Sequence, residues 1–283
     1  MKANPIYSLV LCTLNNHSEI FKFIESISNY NCLLIELIVV DQNEVSISEY
    51  FSPLREKGIN VKYFHVKFKG LSKSRNFGIQ YAIGNIIAFP DDDCIYQPRL
   101  LIDTFDLITP DIDFISINTK DPFDDNKSLV QLPSCVCDIT FKKKMCVSFT
   151  LFFSKKVIEK VGMFDEDMGV GSGTRYGSGE ETDYITRAIS LGFKGRFHPQ
   201  LYVLHPAKEN ILKFDNALKR RMISYGGGYG YFIRKNFRIQ GYLYSTKLCL
   251  GVFVRLIKSL TSFTKLKASV YFMLGFINGF LKR

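Results

Sequence analysis

Three adjacent carboxylates, Asp91-Asp92-Asp93, form the densest group of reactive side chains in the sequence. Like charges held so close repel, and a divalent cation relieves them: Mg²⁺ or Mn²⁺ takes carboxylate oxygens and bridges phosphates. A solvated acidic turn is the plainer reading of the triplet alone. Ser72-Lys73-Ser74-Arg75-Asn76 gathers hydroxyls and two cations in one run. At the start of a helix such a run suits an anion, for instance a nucleoside diphosphate. Glu180-Glu181-Thr182-Asp183 directly follows a glycine-rich stretch. A carboxylate there could act as a general base beside a moving lid, although acids at a helix start also answer the macrodipole. His198 and His205 each precede Pro; a histidine at a strand end could join carboxylates around a metal or simply be packed.

The elements that must position these groups follow from the hydrophobic pattern. Tyr7–Cys12 and Leu34–Val40 read as buried strands, Val61–Val66 as a third, and Ile86–Phe89 as a fourth running into the acidic triplet. Helical spacing covers Ser18–Tyr30, and Ser72–Ala82 predicts a helix with Ser72 as its N-cap. This alternation predicts an open parallel sheet with helices on its faces, in which ligands bind beyond the carboxyl ends of the strands. Thr13–Asn15, Asp41–Asn43 and Asp91–Asp93 all fall at such ends, so the topology would gather them along one edge. Further on, Phe114–Asn118, Val147–Phe153 and Leu201–Leu204 read as strands, and Lys155–Val161 and Glu181–Leu191 as helices. Gly169–Gly179, with five glycines in eleven residues, predicts a mobile loop.

A chain of 283 residues with 46% hydrophobic and 23% charged side chains can bury a sizeable core, which excludes disorder. The net charge of +10 implies anionic partners, but no nucleic-acid motif accompanies it, so nucleic acid is not an expected partner. The seven Cys lack paired zinc spacing, and the start has no separate hydrophobic leader; reduced thiols in a cytoplasm are expected. Leu248–Ile257 and Ala268–Leu281 are apolar runs punctuated by lysines. Each is too short to span a bilayer and suited to lie in its interface.

Taken together, YSLVLCTLNN, LIVVDQNE, GLSKSRNFGIQYAIGNIIAFPDDDC, GSGEETDYITRAISLGF and HPQLYVLHP resemble the inverting, nucleotide-sugar-dependent glycosyltransferases of family 2, which have the GT-A fold. The likeness covers roughly residues 6–206, and Gly226–Lys235 (GGGYGYFIRK) resembles a stretch of the bacterial surface-polysaccharide members. The resemblance implies an α/β fold: a GT-A domain over 1–240, with its nucleotide half at 1–110 and acceptor half at 111–240. The apolar, lysine-punctuated runs make 241–283 a helical tail that either associates with a membrane, packs on the catalytic domain or forms a dimer contact. The resemblance places Thr13 and Asn15 on the nucleoside, Asp41 facing the base, and Arg75 and Asn76 near the nucleotide, where the charge of Lys73 suits the diphosphate. Asp91 and Asp93 become the ends of a DxD motif with Asp92 between them on the nucleotide side; Asp93, Asp91 and His205 hold Mn²⁺ or Mg²⁺. Glu181 becomes the catalytic base, with Glu180 and Asp183 as alternatives.

The sequence departs from the family at Asp41-Gln42-Asn43-Glu44, where a glycine-bearing turn is usual, and at Glu181, where Asp is usual. The implied reaction moves a sugar from a nucleotide-sugar, commonly a UDP-sugar, to a glycan or lipid-linked acceptor on the cytoplasmic face of the cell membrane. A sugar-phosphate nucleotidyltransferase would carry a glycine-rich basic loop where Cys12–Asn16 stands. The acidic clusters argue against an inactive scaffold.

Overall fold

The computed structural model describes residues 5–15, 18–124, 133–142, 146–206 and 214–281. In chain order its elements are β1 (Tyr7–Thr13), α1 (Ile20–Ser28), β2 (Ile35–Asp41), α2 (Ser52–Glu56), β3 (Asn60–His65), α3 (Leu71–Ile79), β4 (Ile86–Ala88), α4 (Leu100–Phe105), β5 (Phe114–Lys120), β6 (Cys137–Ile139), β7 (Leu151–Ser154), α5 (Lys155–Val161), α6 (Glu180–Ser190), β8 (Gly195–Leu204), α7 (Asn216–Lys235), α8 (Phe237–Gln240), α9 (Tyr242–Lys258) and α10 (Phe263–Leu281). By contact they divide into two compact units. The first is Met1–Lys69, Ser74–Met163 and Leu191–Lys208; the second is Gly70–Lys73, Phe164–Ser190 and Glu209–Arg283.

The first unit holds one eight-stranded sheet in the order β3-β2-β1-β4-β7-β5-β8-β6. β3, β2, β1 and β4 run parallel, β7 is antiparallel to both its neighbours, β5 pairs parallel with β8, and β6 closes the edge antiparallel. The expected α/β sheet is therefore present, with its parallel half built by the four strands read first. β2 is buried at every position, as a strand covered on both faces must be. The amphipathic helix α1 lays Ile20, Phe23, Ile24 and Ile27 into the same core as Leu9, Leu37 and Val39. Register between β1 and β2 is continuous from Tyr7–Ile35 to Thr13–Asp41, so two of the polar strand ends finish side by side.

Two local expectations change. The helix after β3 begins at Leu71, which puts Ser72 inside its first turn; the Ser72 hydroxyl donates to the Met168 carbonyl at 2.6 Å instead of capping the helix. Val147–Phe153 is a strand only from Leu151. Ser148–Thr150 forms a 3₁₀ turn, because the Thr150 hydroxyl bonds back to the Val147 carbonyl at 2.8 Å and competes with the ladder.

In the second unit, α7 and α10 meet through glycine. A Cβ on Gly226 would fall on the Phe272 carbonyl, one on Gly230 on the Phe276 carbonyl, and one on Gly279 on the Gly227 carbonyl. Gly275 and Gly279 recur at the spacing that lets two helix backbones approach. The same α7 glycines seat the glycine-rich loop: a Cβ on Gly227 would strike the Arg175 carbonyl and one on Gly228 the Ser178 carbonyl. That loop carries positive φ at Gly169, Gly171, Gly173 and Gly179. It is tied by Leu71 N–H to the Val170 carbonyl (2.9 Å) and by the Tyr176 ring stacked on Tyr231.

Candidate active site

Within the first unit the ends of β1, β2, β3 and β4 are bound to one another by their own polar side chains. The Thr13 hydroxyl, closing β1, donates to Asp92 Oδ2 at 2.6 Å. Asn43, after β2, is a junction. Its N–H and side-chain amide both donate to Asp41 Oδ1 (2.8 and 2.6 Å), its Oδ1 accepts from Asn15 N–H (2.6 Å), and its carbonyl meets His65 Nε2 of β3 at 2.9 Å. Asn15 itself stands at φ +62°, a conformation Asn tolerates better than most residues. The second carboxylate oxygen of Asp41 accepts from Ile47 N–H and from the Tyr63 hydroxyl. Four donors thus converge on Asp41, which is fully buried. Asn43 does by hydrogen bonding what a glycine turn would do by backbone freedom.

The triplet after β4 splits by direction. Asp92 is held to β1, while Asp91 and Asp93 share a cluster with His205, in which one ligand atom from each residue lies within 4.8 Å of the others. His205 Nε2 is 3.0 Å from Asp93 Oδ1 and 4.0 Å from Asp91 Oδ2. Three contacts fix the imidazole. Its backbone N–H donates to the Lys120 carbonyl at the end of β5 (2.9 Å), its ring stacks on Phe149 at 4.4 Å, and its Nδ1 faces the Pro206 carbonyl (2.9 Å). A reciprocal pair of backbone bonds between Ile95 and Leu204 (2.8 and 3.1 Å) draws the end of β8 beside the triplet.

Arg75, from α3, is buried to 1% exposure, sits over the Phe89 ring and reaches to 3.7 Å from Asp91 Oδ1. Burial pushes the Asp91 carboxyl up to about 6; Arg75 and His205 oppose the shift, and Asp93 and Asp92 add to it. Burial opposes charge on His205, but its hydrogen bond to Asp93 and the charges of Asp93 and Asp91 raise it above the usual imidazole range. Two crowded carboxylates and an imidazole whose outer nitrogen is held by a carbonyl make an oxygen-rich donor set that fits Mn²⁺ or Mg²⁺. Among the described residues this is the one such group.

The sequence reasoning did not find Phe149, the Lys120 carbonyl or Tyr63. The His-Pro step closing a strand and the family resemblance marked His205, but nothing local marks the residues that hold it. His198 lies in β8 in register with Ile117 and takes no part in the cluster. Cys94 is buried and Cys12 half-buried, and desolvation pushes the Cys12 thiol up to about 12, which removes it as a nucleophile. Asn76 is buried beside Arg75 in α3.

Within the second unit, Lys73 is exposed on the first turn of α3. α6 begins at Glu180, with Glu180, Glu181 and Asp183 in its first turn. Asp183 is fully buried and its carboxylate is engaged by Arg187 Nε (2.9 Å), Lys235 Nζ (3.0 Å) and Asn236 Nδ2 (2.8 Å). Glu180 is buried against Gly169, where a Cβ would come within 3.2 Å of its carboxyl carbon. Glu181 is half-exposed on the same turn.

Two curated relatives share part of this sequence. An uncharacterised glycosyltransferase of Rickettsia felis is 29% identical over 96 residues, 34% of this chain and 16% of the relative. One of Rickettsia conorii is 35% identical over 68 residues, 24% of this chain and 11% of the relative. The chain therefore matches only a small part of the length of either. Among solved structures, the mannosyltransferase PcManGT of Pyrobaculum calidifontis, in complex with GDP-Man and Mn²⁺, superposes with a TM-score of 0.63 at 15% identity over 99% of this chain and 88% of its own. S. aureus TarS 1-349 in complex with UDP-GlcNAc gives 0.63 at 14% identity over 96% and 90%. Both likenesses establish the shared GT-A fold. Residues 8–162, more than half of the chain and including the acidic triplet, match the profile of glycosyl transferase family 2, and the chain belongs to that family.

Proposed function

We propose that this chain is a metal-dependent, inverting glycosyltransferase that takes its sugar from a nucleoside diphosphate, UDP foremost. The acceptor is a glycan or lipid-linked chain of a bacterial surface polysaccharide. The observation that carries this reading is the Asp91–Asp93–His205 group with buried Arg75 beside it. A divalent ion held by those three side chains would neutralise the diphosphate oxygens as they take on charge. Arg75 adds a fixed cation on the same side, and Lys73 is assigned to bring a further charge to the diphosphate. Thr13, Asn15 and Asn76 line the nucleoside end. Asp41, already carrying four donors, fixes the Asn43 turn against which the base lies.

The acceptor hydroxyl is too weak an acid to ionise unaided. We assign Glu181 to take its proton as the oxygen bonds to the anomeric carbon and the bond from that carbon to the diphosphate oxygen breaks. Attack opposite the leaving group inverts the configuration. Glu180 is the alternative on the same turn; Asp183 is committed to Arg187, Lys235 and Asn236. Such a base contributes about 10²–10⁴-fold.

A location on the cytoplasmic membrane face is part of the same reading. No described helix is long and apolar enough to cross a membrane. Residues 216–283 carry thirteen Lys or Arg and no Asp or Glu, whereas residues 1–215 carry 24 basic and 27 acidic side chains. An anionic leaflet attracts such a segment by roughly 1 kcal/mol per basic residue at its surface.

The test is a melting screen of nucleoside diphosphates with and without Mn²⁺, followed by product analysis with the matching nucleotide-sugar. A ligand at a hundred times its Kd adds about 2.7 kcal/mol. The expected result is metal-dependent stabilisation by one nucleoside diphosphate, and release of that diphosphate on turnover. Release of pyrophosphate would instead make the protein a nucleotidyltransferase.

A further inference from the structure

Among the described residues, nothing covers one face of α9. Leu243, Leu250, Phe253, Val254 and Ile257, with Leu260 just beyond, are exposed between 48% and 90%. They recur at intervals of three, four and seven residues, which places them on a single stripe. α10 differs: its glycines are sealed against α7, and Phe276 is buried there. Beside the stripe, residues of α7, α9 and α10 line an open cavity of about 480 Å³. Met222, Val254 and Ala268 line its apolar side, and Arg255, Lys258 and Lys265 bring three cations to it. Val254 belongs to both the stripe and the cavity. Burial pulls the Arg255 guanidinium below its usual range, and Arg255 lies 4.2 Å over the Phe272 ring, so this cation is partly desolvated.

We infer that this cavity takes the phosphate of an anionic membrane lipid, with the α9 stripe lying in the leaflet beside it. Three observations commit the occupant to lipid. The lining combines apolar side chains with three cations, as a phosphate-headed amphiphile requires. Val254 joins the lining to the exposed apolar stripe. No carboxylate anywhere in residues 216–283 competes for the cations. The inference rests on the peripheral-membrane reading above and narrows it to one helix and one cavity.

The test uses the full chain and vesicle co-sedimentation, so it is independent of transferase activity. Vesicles are phosphatidylcholine alone or mixed with phosphatidylglycerol. The wild type is expected to sediment with the mixed vesicles. Lys258→Gln/Lys265→Gln should weaken that binding by more than about 25-fold, from roughly fivefold per surface cation and additional loss at a built site. Arg220→Gln/Arg238→Gln removes equal charge from exposed positions of the same unit outside the cavity and should weaken it less. Phe253→Ser/Ile257→Ser should abolish retention. Equal losses in the two charge variants would leave general attraction and overturn the cavity while keeping the membrane reading. A wild type that stays in solution with both vesicles would overturn both. A stabilising shift from inorganic phosphate equal to that from phosphatidylglycerol would make the cavity a site for soluble phosphates. A wild-type dimer in sedimentation equilibrium that Phe253→Ser/Ile257→Ser splits, with vesicle binding unchanged, would make the stripe a contact between copies.

Discussion

His205 Nε2 stands 3.0 Å from Asp93 Oδ1, although β5, β7 and α6 intervene in sequence between them. The Ile95–Leu204 bridge makes this contact, and Phe149 and the Lys120 carbonyl keep the ring in place. If the pair holds a cation, His205→Ala should lower Mn²⁺ affinity by at least the ~10–100-fold typical of losing even an outer partner of a metal ligand. Calorimetric titration of Mn²⁺ into the two proteins reads this directly. Treatment with EDTA should abolish transfer, and added Mn²⁺ or Mg²⁺ should restore it. Unchanged titration curves would take His205 out of the site.

Neighbouring carboxylates of α6 should separate by phenotype. Glu181→Gln should keep donor binding and lose turnover by about 10²-fold or more, because a base acts in the transition state and not in the ground state. Asp183→Asn should act on stability instead. It leaves the partly exposed Arg187 and Lys235 facing a neutral amide, and losing a charged hydrogen-bond partner costs about 1.5–3 kcal/mol. Initial rates and melting curves on both variants decide. Normal turnover in Glu181→Gln passes the role to Glu180.

The parallel half of the sheet was legible in the sequence because each strand is a short apolar run ended by a polar cluster, and the topology rule then brings those ends together. The acidic triplet was legible for the same reason. What the sequence could not show was direction: Asp92 turns to Thr13 while its two neighbours turn to His205, and this depends on side-chain choices across elements. Asn43 stands where a glycine turn is usual, yet it replaces that turn with four hydrogen bonds to three residues at the ends of β1, β2 and β3. Ser72 was misplaced because a hydroxyl at a helix start reads as a cap until its distant partner, the Met168 carbonyl, is known. The glycines of α7 carried only a resemblance; their physical use needs α10 and the 175–178 segment, which no local pattern announces.

A second ion pair in the same unit gives a pH signature. Lys235 Nζ is 2.7 Å from Asp165 Oδ2, which also accepts from the Tyr231 hydroxyl at 3.1 Å. Burial works against charge on Asp165, but Lys235 and these hydrogen bonds prevail and hold its carboxyl below the ordinary value of 3.8. A depressed folded-state pKa gives stability that is present above the unfolded value and fades as pH falls through the folded one. The melting temperature of the wild type should therefore decline below about pH 4, and Asp165→Asn should remove part of that decline while lowering the plateau near neutrality. Parallel slopes in the two proteins would show that the pair is not linked to folding.

The same substitution should have opposite signs at two glycines of the C-terminal helices. Gly251, on α9, has no neighbour within 4 Å of where a Cβ would stand. Alanine there restricts the unfolded chain and improves helix propensity, so Gly251→Ala should stabilise by about 0.5–1 kcal/mol. Gly279, on α10, faces the Gly227 carbonyl at a distance no Cβ can occupy. The obstacle is backbone, which no side-chain rotation relieves, so α7 and α10 must part or bend. Overpacking of this kind costs about 1–3 kcal/mol, more than the propensity gain returns. Gly226→Ala, against the Phe272 carbonyl, should behave in the same way. Denaturant melts of the three variants measure the differences at constant slope. A stabilised Gly279→Ala would mean that α10 does not rest on α7 in solution.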